Sequence, residues 1–260
     1  MALPPVVFED EVLLALDKPG GLPVAGTGGS GQPESLLALV QAGCGRHIGN
    51  VHRLDSEASG VILFAKTKAA LDSLSGQFQA KTAECVYHAL VAGAPPQDEF
   101  RVENLLAVDK GRPGCFLVDA RCGRPAVTAF SVVERFRGFA WLECRPETGR
   151  MHQIRVHLAG AGLPVLNDRL YGGDAKLLLS NLKRGYKGRA QERPLISGLA
   201  LHASQLTILH PATRAPVAIQ APLTNELEVA LKYLRRFGKE VRRTSPARLP
   251  RMSELDASEL

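Results

Sequence analysis

The 260 residues include enough apolar side chains, 45%, to bury a substantial core, and no uninterrupted apolar run approaches the ~20 residues of a membrane-spanning helix. The N-terminus MALPPVVFEDE is neither a basic-then-apolar signal nor an Arg/Ser-rich transit peptide, so the chain is expected in the cytoplasm, away from any membrane. A net charge of +6 favours an acidic partner, while five widely spread cysteines without C-x-x-C argue against a disulfide framework or a zinc site and are expected as reduced, small core residues.

Residues 6–18, VVFEDEVLLALDK, read as strand material broken at Glu9-Asp10-Glu11 and stopped by Pro19-Gly20-Gly21. Residues 26–31, GTGGSG, match G-x-G-x-x-G, but PGGLPVA intervenes between strand and glycines, and Pro23 does not suit a central parallel strand. The segment is therefore read as a flexible loop, not a nucleotide-cofactor turn; Pro33 then opens a helix, ESLLALVQA, that Gly43 can end. Residues 52–66, HRLDSEASGVILFAK, read as a turn presenting Asp55 beside a buried strand, with Gly60 permitting close backbone approach. Two roles fit that acid: chemistry on a loop backed by a rigid strand, or the capping of a turn. Thr67 is a good N-cap for a helix carrying Leu71, Leu74 and Phe78, and ECVYHALVA at 84–92 alternates as a strand does.

Residues 126–136 and 139–145 read as two strands joined at Arg137-Gly138. Strands following strands predict an α+β fold, a mixed and largely antiparallel sheet with peripheral helices, folded as two lobes around a cleft. After Gly149 a helix is expected in which His152, Val156 and Ala159 lie near one another, while Arg155 and Leu158 share another face. His152 and His157 are five apart with no H-E-x-x-H, so no metal site is assigned. Residues 174–198 read as an exposed, basic insertion with Lys176, Lys183, Arg184, Lys187, Arg189 and Arg193 against Glu192. Thr224 caps a last helix with an apolar stripe of Leu227, Leu231 and Leu234. A second basic cluster runs Lys232, Arg235, Arg236, Lys239, Arg242, Arg243, Arg248 and Arg251 against Glu240. Each cluster suits a polyanion such as nucleic acid, the alternative being a solvated face or tail. Residues 1 to about 237 are read as one unit, and 238–260 as a disordered charged tail. The sequence is silent on oligomeric state, and a monomer is favoured.

HRLDSEASGVILFAK, together with KPGGL at 18–22, ECVYHALV at 84–91, GRMHQIRVHLAGAGLPVLNDRLYGG at 149–173 and LHASQLTILHP at 201–211, resembles the RluA family of RNA pseudouridine synthases. The matches keep the family's order from about residue 8 to 223, which leaves no room in this sequence for the small N-terminal RNA-binding domain of some members. Departures are Ala58 and Met151 for Thr, Leu163 for His, Asn167 for Gly, and Cys85 for Lys.

The resemblance implies isomerisation of uridine in tRNA or rRNA around an RNA-binding cleft, without metal or diffusible cofactor. It implies Asp55 as the catalytic carboxylate, Tyr87 against the target base, and Arg155 paired with Asp55. Arg53 would enter the helix as the uridine leaves, Leu201 would support the ring, and His52 would lie in the same motif against the substrate. Lys183 and Arg184, from the first basic cluster, are expected to hold RNA backbone. A base inside a duplex must be flipped out before chemistry reaches its glycosidic bond, so basic surface beside a pocket is required on physical grounds as well. A non-catalytic RNA-binding protein of the same fold predicts the same charge, but has no use for Asp55 with Tyr87 and Arg155.

Overall fold

A computed structural model describes residues 2–26, 35–183, 185–186 and 191–239. Its core strands follow from apolar runs bounded by turn residues: β1 (Val6–Glu9), β2 (Leu13–Lys18), the short β3 (Gly49–Asn50) and β4 (Ser59–Ala65). Helix α1 (Leu36–Cys44) lies between β2 and β3 in the chain, and α2 (Lys68–Ala80) follows β4. Next come β5 (Glu84–Ala92), β6 (Glu99–Val108), β7 (Phe116–Val118), β8 (Arg124–Phe136) and β9 (Phe139–Pro146). The chain continues through α3 (Gln153–Gly160), α4 (Leu179–Leu182), β10 (Leu201–Leu209), β11 (Pro216–Gln220) and α5 (Asn225–Phe237).

All of these strands join one sheet in the order β1-β2-β4-β10-β5-β9-β8-β6-β7, with β11 beside β10 and β3 beside β4. The expected two lobes are thus halves of a continuous sheet. Every pairing is antiparallel except β4 with β10, where Ser59 lies opposite His202 and Gly60 opposite Ala203. Gly60 is required at that seam: its φ is 111°, and a Cβ there would stand 2.1 Å from the Ala203 carbonyl oxygen.

β4 is buried along its whole length because both faces of its half of the sheet are covered. Leu14, Leu16, Ile62 and Phe64 face one cluster, with α1 and α5; Leu13, Ala15, Val61 and Leu63 face the other, with α2. The two helix caps read from sequence form as expected, Thr67 Oγ1 accepting from Ala70 N and Thr224 Oγ1 from Leu227 N. Leu227, Leu231 and Leu234 of α5 are buried in the larger cluster, as the stripe predicts. Among the described residues no helix is long and apolar enough to cross a membrane.

The structure corrects several local expectations. Helix α1 is capped by Ser35 and ends at Gly45 (φ 112°), beyond Gly43, because Gly45 adopts the backbone that side chains avoid. Most of the glycine-rich loop and Pro33 lie outside the described residues. β6 and β7 are strands beyond those read from the sequence; charged residues such as Arg101 and Glu103 occupy the uncovered face of β6 and dilute its apolar signal. The 174–198 stretch is not simply exposed, since Leu177, Leu182 and Ile196 are core residues anchoring it beneath α5. Of the cysteines, Cys115 and Cys144 are buried but Cys44 and Cys122 are exposed. From residue 240 the expected tail lies outside the described residues.

Candidate active site

Asp55 sits in the turn that brings the chain from β3 into β4, and two devices hold that turn. The Lys18 ammonium, fully buried, donates to the carbonyls of Pro19 at 2.9 Å, Leu22 at 2.8 Å and Ser56 at 2.9 Å. All three donors are used, which ties the KPGGL turn to the turn carrying Asp55. Burial pulls Lys18 down to about 8, with Glu57 and Asp55 opposing the shift. Gly21 N also donates to Ser56 O at 2.7 Å, and a Cβ on Gly20 would come within 2.8 Å of the Glu57 carbonyl, so the two motifs need each other's backbone. On the other side, His52 Nε2 accepts from Leu63 N at 3.1 Å while its ring stacks on Phe78 at 5.1 Å. Burial pushes His52 down to about 4, so it is neutral, and its half-buried side chain contributes to the wall.

The opposite wall is the start of α3. His152 is not in the helix, as the spacing predicts, but caps it in the left-handed region at φ 54°. Its loop is braced by Gln153, whose Nε2 donates to Val127 O and Thr128 Oγ1 at 2.9 Å, and whose Oε1 accepts from Thr148 Oγ1 at 2.7 Å and Arg150 N at 3.1 Å. Tyr171 Oη accepts from Phe116 N at 2.8 Å and lies 2.9 Å from His152 Nδ1, giving that imidazole a fixed partner.

Arg155 connects the two walls. Its side chain is 2% exposed and meets Asp55 Oδ2 through Nη1 at 3.3 Å, with Glu57 Oε2 at 3.6 Å. The expected pairing with Asp55 is present but is the longer one: both short contacts go to Asp168, Nε to Oδ2 at 2.7 Å and Nη2 to Oδ1 at 2.8 Å. The Tyr171 ring lies 5.2 Å below the guanidinium carbon. Burial opposes the charge, but Asp168, then Asp55 and Glu57, more than reverse that effect and hold Arg155 cationic. Asp168 escapes sequence reading because NDRLYGG looks like an ordinary polar turn. Asn167 beside it adopts φ 61°, a conformation Asn tolerates, which accounts for its standing in place of a glycine.

Between the walls lies a cleft of about 780 Å³, a volume within the range that accommodates a small ligand. Arg53, Asp55, Tyr87, His152, Arg155 and Leu201 all line it, as does His52. Asp55 retains 20% side-chain exposure, so one carboxylate edge faces the cleft while the other meets the guanidinium. Tyr87, on β5, has its phenol pushed well above the ordinary value by burial, then by Cys85 and Asp55, and stays protonated at neutral pH. Lys81, Arg145 and Arg150 stand on the rim. Lys183 is not there: it lies against Phe237, at the far end of the sheet, and Arg184 falls outside the described residues. The arrangement offers a carboxylate of fixed orientation, a planar ring beside it, and cations around the opening.

The family profile described as RNA pseudouridylate synthase matches residues 12–160. Ribosomal large subunit pseudouridine synthase D of Neisseria meningitidis serogroup B is 34% identical over 235 residues, covering 88% of this chain and 61% of that protein. The protein of the same name from Xanthomonas campestris pv. campestris is 37% identical over 243 residues, covering 88% and 69%. The chain thus spans 61% of the length of the Neisseria relatives it matches. The solved structure of human RNA pseudouridylate synthase domain containing 4 shares the fold, with a TM-score of 0.65 at 24% identity over 88% of this chain and 92% of that one. With the matched segment running through Asp55, Tyr87 and Arg155, the chain belongs to the RNA pseudouridylate synthase family.

Proposed function

We propose that residues 1 to about 237 form a cytoplasmic RNA pseudouridine synthase unit that isomerises uridine in RNA, with Asp55 as the catalytic carboxylate. The relatives' names favour large-subunit ribosomal RNA over transfer RNA as the substrate. In this reading the flipped uridine enters the cleft, its base packing between Tyr87 and Leu201, and Arg53 fills the vacated stack. Asp55 attacks the sugar or removes a proton from it; the N-glycosidic bond breaks, uracil rotates, and C5 joins the ribose carbon as its proton is lost and N1 gains one. No atom is gained or lost, and no electron is transferred. Arg155 aims the Asp55 carboxylate through the Nη1 contact, and Tyr87 contributes a neutral phenol at the base.

The observation that carries this reading is the buried Arg155, gripped from behind by Asp168 and offering its remaining nitrogen to a solvent-facing Asp55. A protein that only binds RNA has no need of a preorganised anion at the floor of its groove, where it repels phosphate. The test is pseudouridine mapping in total RNA from cells with the gene, without it, and with Asp55→Asn. Sites that vanish on deletion and return with wild type but not with Asp55→Asn support the proposal; unchanged maps in all three strains overturn it.

A further inference from the structure

The two basic stretches, separated in sequence by all of β10 and β11, meet at the end of the sheet opposite the cleft. Strand β9 begins there at Phe139, and Cys144, the cross-strand partner of Tyr87, lies about 17 Å further along it. At this end Lys183 Nζ is 5.6 Å from the Phe237 ring centroid and 5.9 Å from that of Tyr186. Arg236 Cζ is 5.1 Å from the same Phe237 ring, which stacks with Tyr233 at 6.1 Å. Lys232 precedes Arg236 by one helical turn and so shares its face. Arg137 closes the group, its backbone N donating to Gly238 O at 2.8 Å and its Nη2 to Asn181 O at 3.2 Å.

Charge here is uncompensated. Arg235 is paired with Glu134, but Arg137, Lys183, Lys232, Arg236 and Lys239 form no ion pair among the described residues. Tyr186 is 37% exposed, an aromatic face in the midst of cations.

We propose that this surface is a second RNA contact, separate from the cleft, that takes an unpaired strand of the same RNA whose uridine is isomerised. The inference rests on the synthase reading for the identity of the polymer. Aromatic rings hold Lys183 and Arg236 in place with N–H groups free for phosphate, while the Tyr186 ring and the Arg236 plane offer stacking surfaces to bases. A solvated helix face needs neither the ring contacts nor the convergence of two distant basic segments. Such a contact would let the enzyme select an RNA by a segment remote from its target uridine.

The test compares wild type with the triple variant Tyr186→Ala, Lys232→Gln, Arg236→Gln, all exposed positions, using fluorescein-labelled 30-nucleotide oligouridylate and, for turnover, total RNA from gene-deleted cells. Expected are at least a ten-fold loss of affinity, a salt slope reduced by about 1.4 for two lost phosphate contacts, and a raised KM with kcat retained. Photocrosslinking with 4-thiouridine should mark Tyr186 or the 232–239 peptide in wild type. Unchanged affinity and slope with crosslinks confined to the cleft overturn the proposal. So does equal competition by poly-glutamate, which assigns the face to an acidic protein. Wild type that neither binds RNA nor forms pseudouridine defeats the functional reading itself; wild type that does both, matched by the triple variant, defeats this inference alone.

Discussion

Asp168, with none of its side chain exposed, holds the Arg155 guanidinium by two hydrogen bonds of 2.7 and 2.8 Å and leaves only Nη1 for Asp55. The arginine is thus built into the protein by one carboxylate and presented to another. A buried ion pair contributes little net stability when intact, but removing one partner strands the other.

Arg155→Ala should therefore lower stability by about 3–5 kcal/mol, read by urea unfolding, chiefly because Asp168 is left unpaired. Adding Asp168→Asn should recover more of that loss than adding Asp55→Asn, since Asp55 still reaches water. Equal recovery by the two second substitutions would place the buried charge on Asp55 instead.

For catalysis the order reverses. Asp55→Asn should reduce pseudouridine formation about a thousand-fold or more, with melting temperature and RNA affinity close to wild type. Appreciable turnover by this variant in a tritium-release assay would remove Asp55 from the chemistry.

Arg53, exposed at the mouth of the cleft two residues before Asp55, should matter most where a base must be unstacked. Arg53→Ala should slow turnover on structured RNA more than on an unstructured oligonucleotide of the same sequence, because a stacked guanidinium offsets part of a cost of a few kcal/mol. Equal slowing on both substrates would assign Arg53 to general binding.

His157 is buried, and burial pushes it down to about 4 from an ordinary 6.5. Between these values the unfolded chain binds a proton that the native state refuses, so stability is fully present above 6.5 and falls as pH drops toward 4, by up to about 3 kcal/mol. Its Nδ1 meets Thr128 Oγ1 at 2.9 Å and its Nε2 has no hydrogen-bond partner, while Thr128 keeps Gln153 Nε2 as a second partner. His157→Leu should hence cost little at pH 7 and flatten the acid limb of a stability-versus-pH curve. An unaltered limb would shift the effect to His52, which burial also pushes to about 4.

Gly60→Ala should destabilise by about 2 kcal/mol or more, as the new methyl forces the β4–β10 seam apart against the Ala203 carbonyl. A thermal melt matching wild type would mean that the seam yields without loss.

The amino-acid sequence by itself determined the local elements with strong periodicity or caps: the strand at 84–92, the helices after Thr67 and Thr224, and the turn at Gly138. Asp55 stood out in the turn before β4 with two roles open to it, and only the resemblance of the ordered motifs to the pseudouridine synthases singled out Tyr87 and Arg155 beside it. What tertiary structure alone decided are relations between segments whose patterns are individually ordinary. Asp168 becomes Arg155's main partner only because the turn after α3 folds back over it, and Lys18 becomes a brace only when Ser56 and Leu22 converge on its ammonium. Lys183 and Arg236 share a surface although β10 and β11 separate them in sequence, since Leu182 and Leu234 are buried in the same core and carry their basic neighbours to one end of the sheet. Period and propensity act over a few residues, whereas burial of apolar surface and pairing of buried charge act across the whole fold, and those two forces chose these partners.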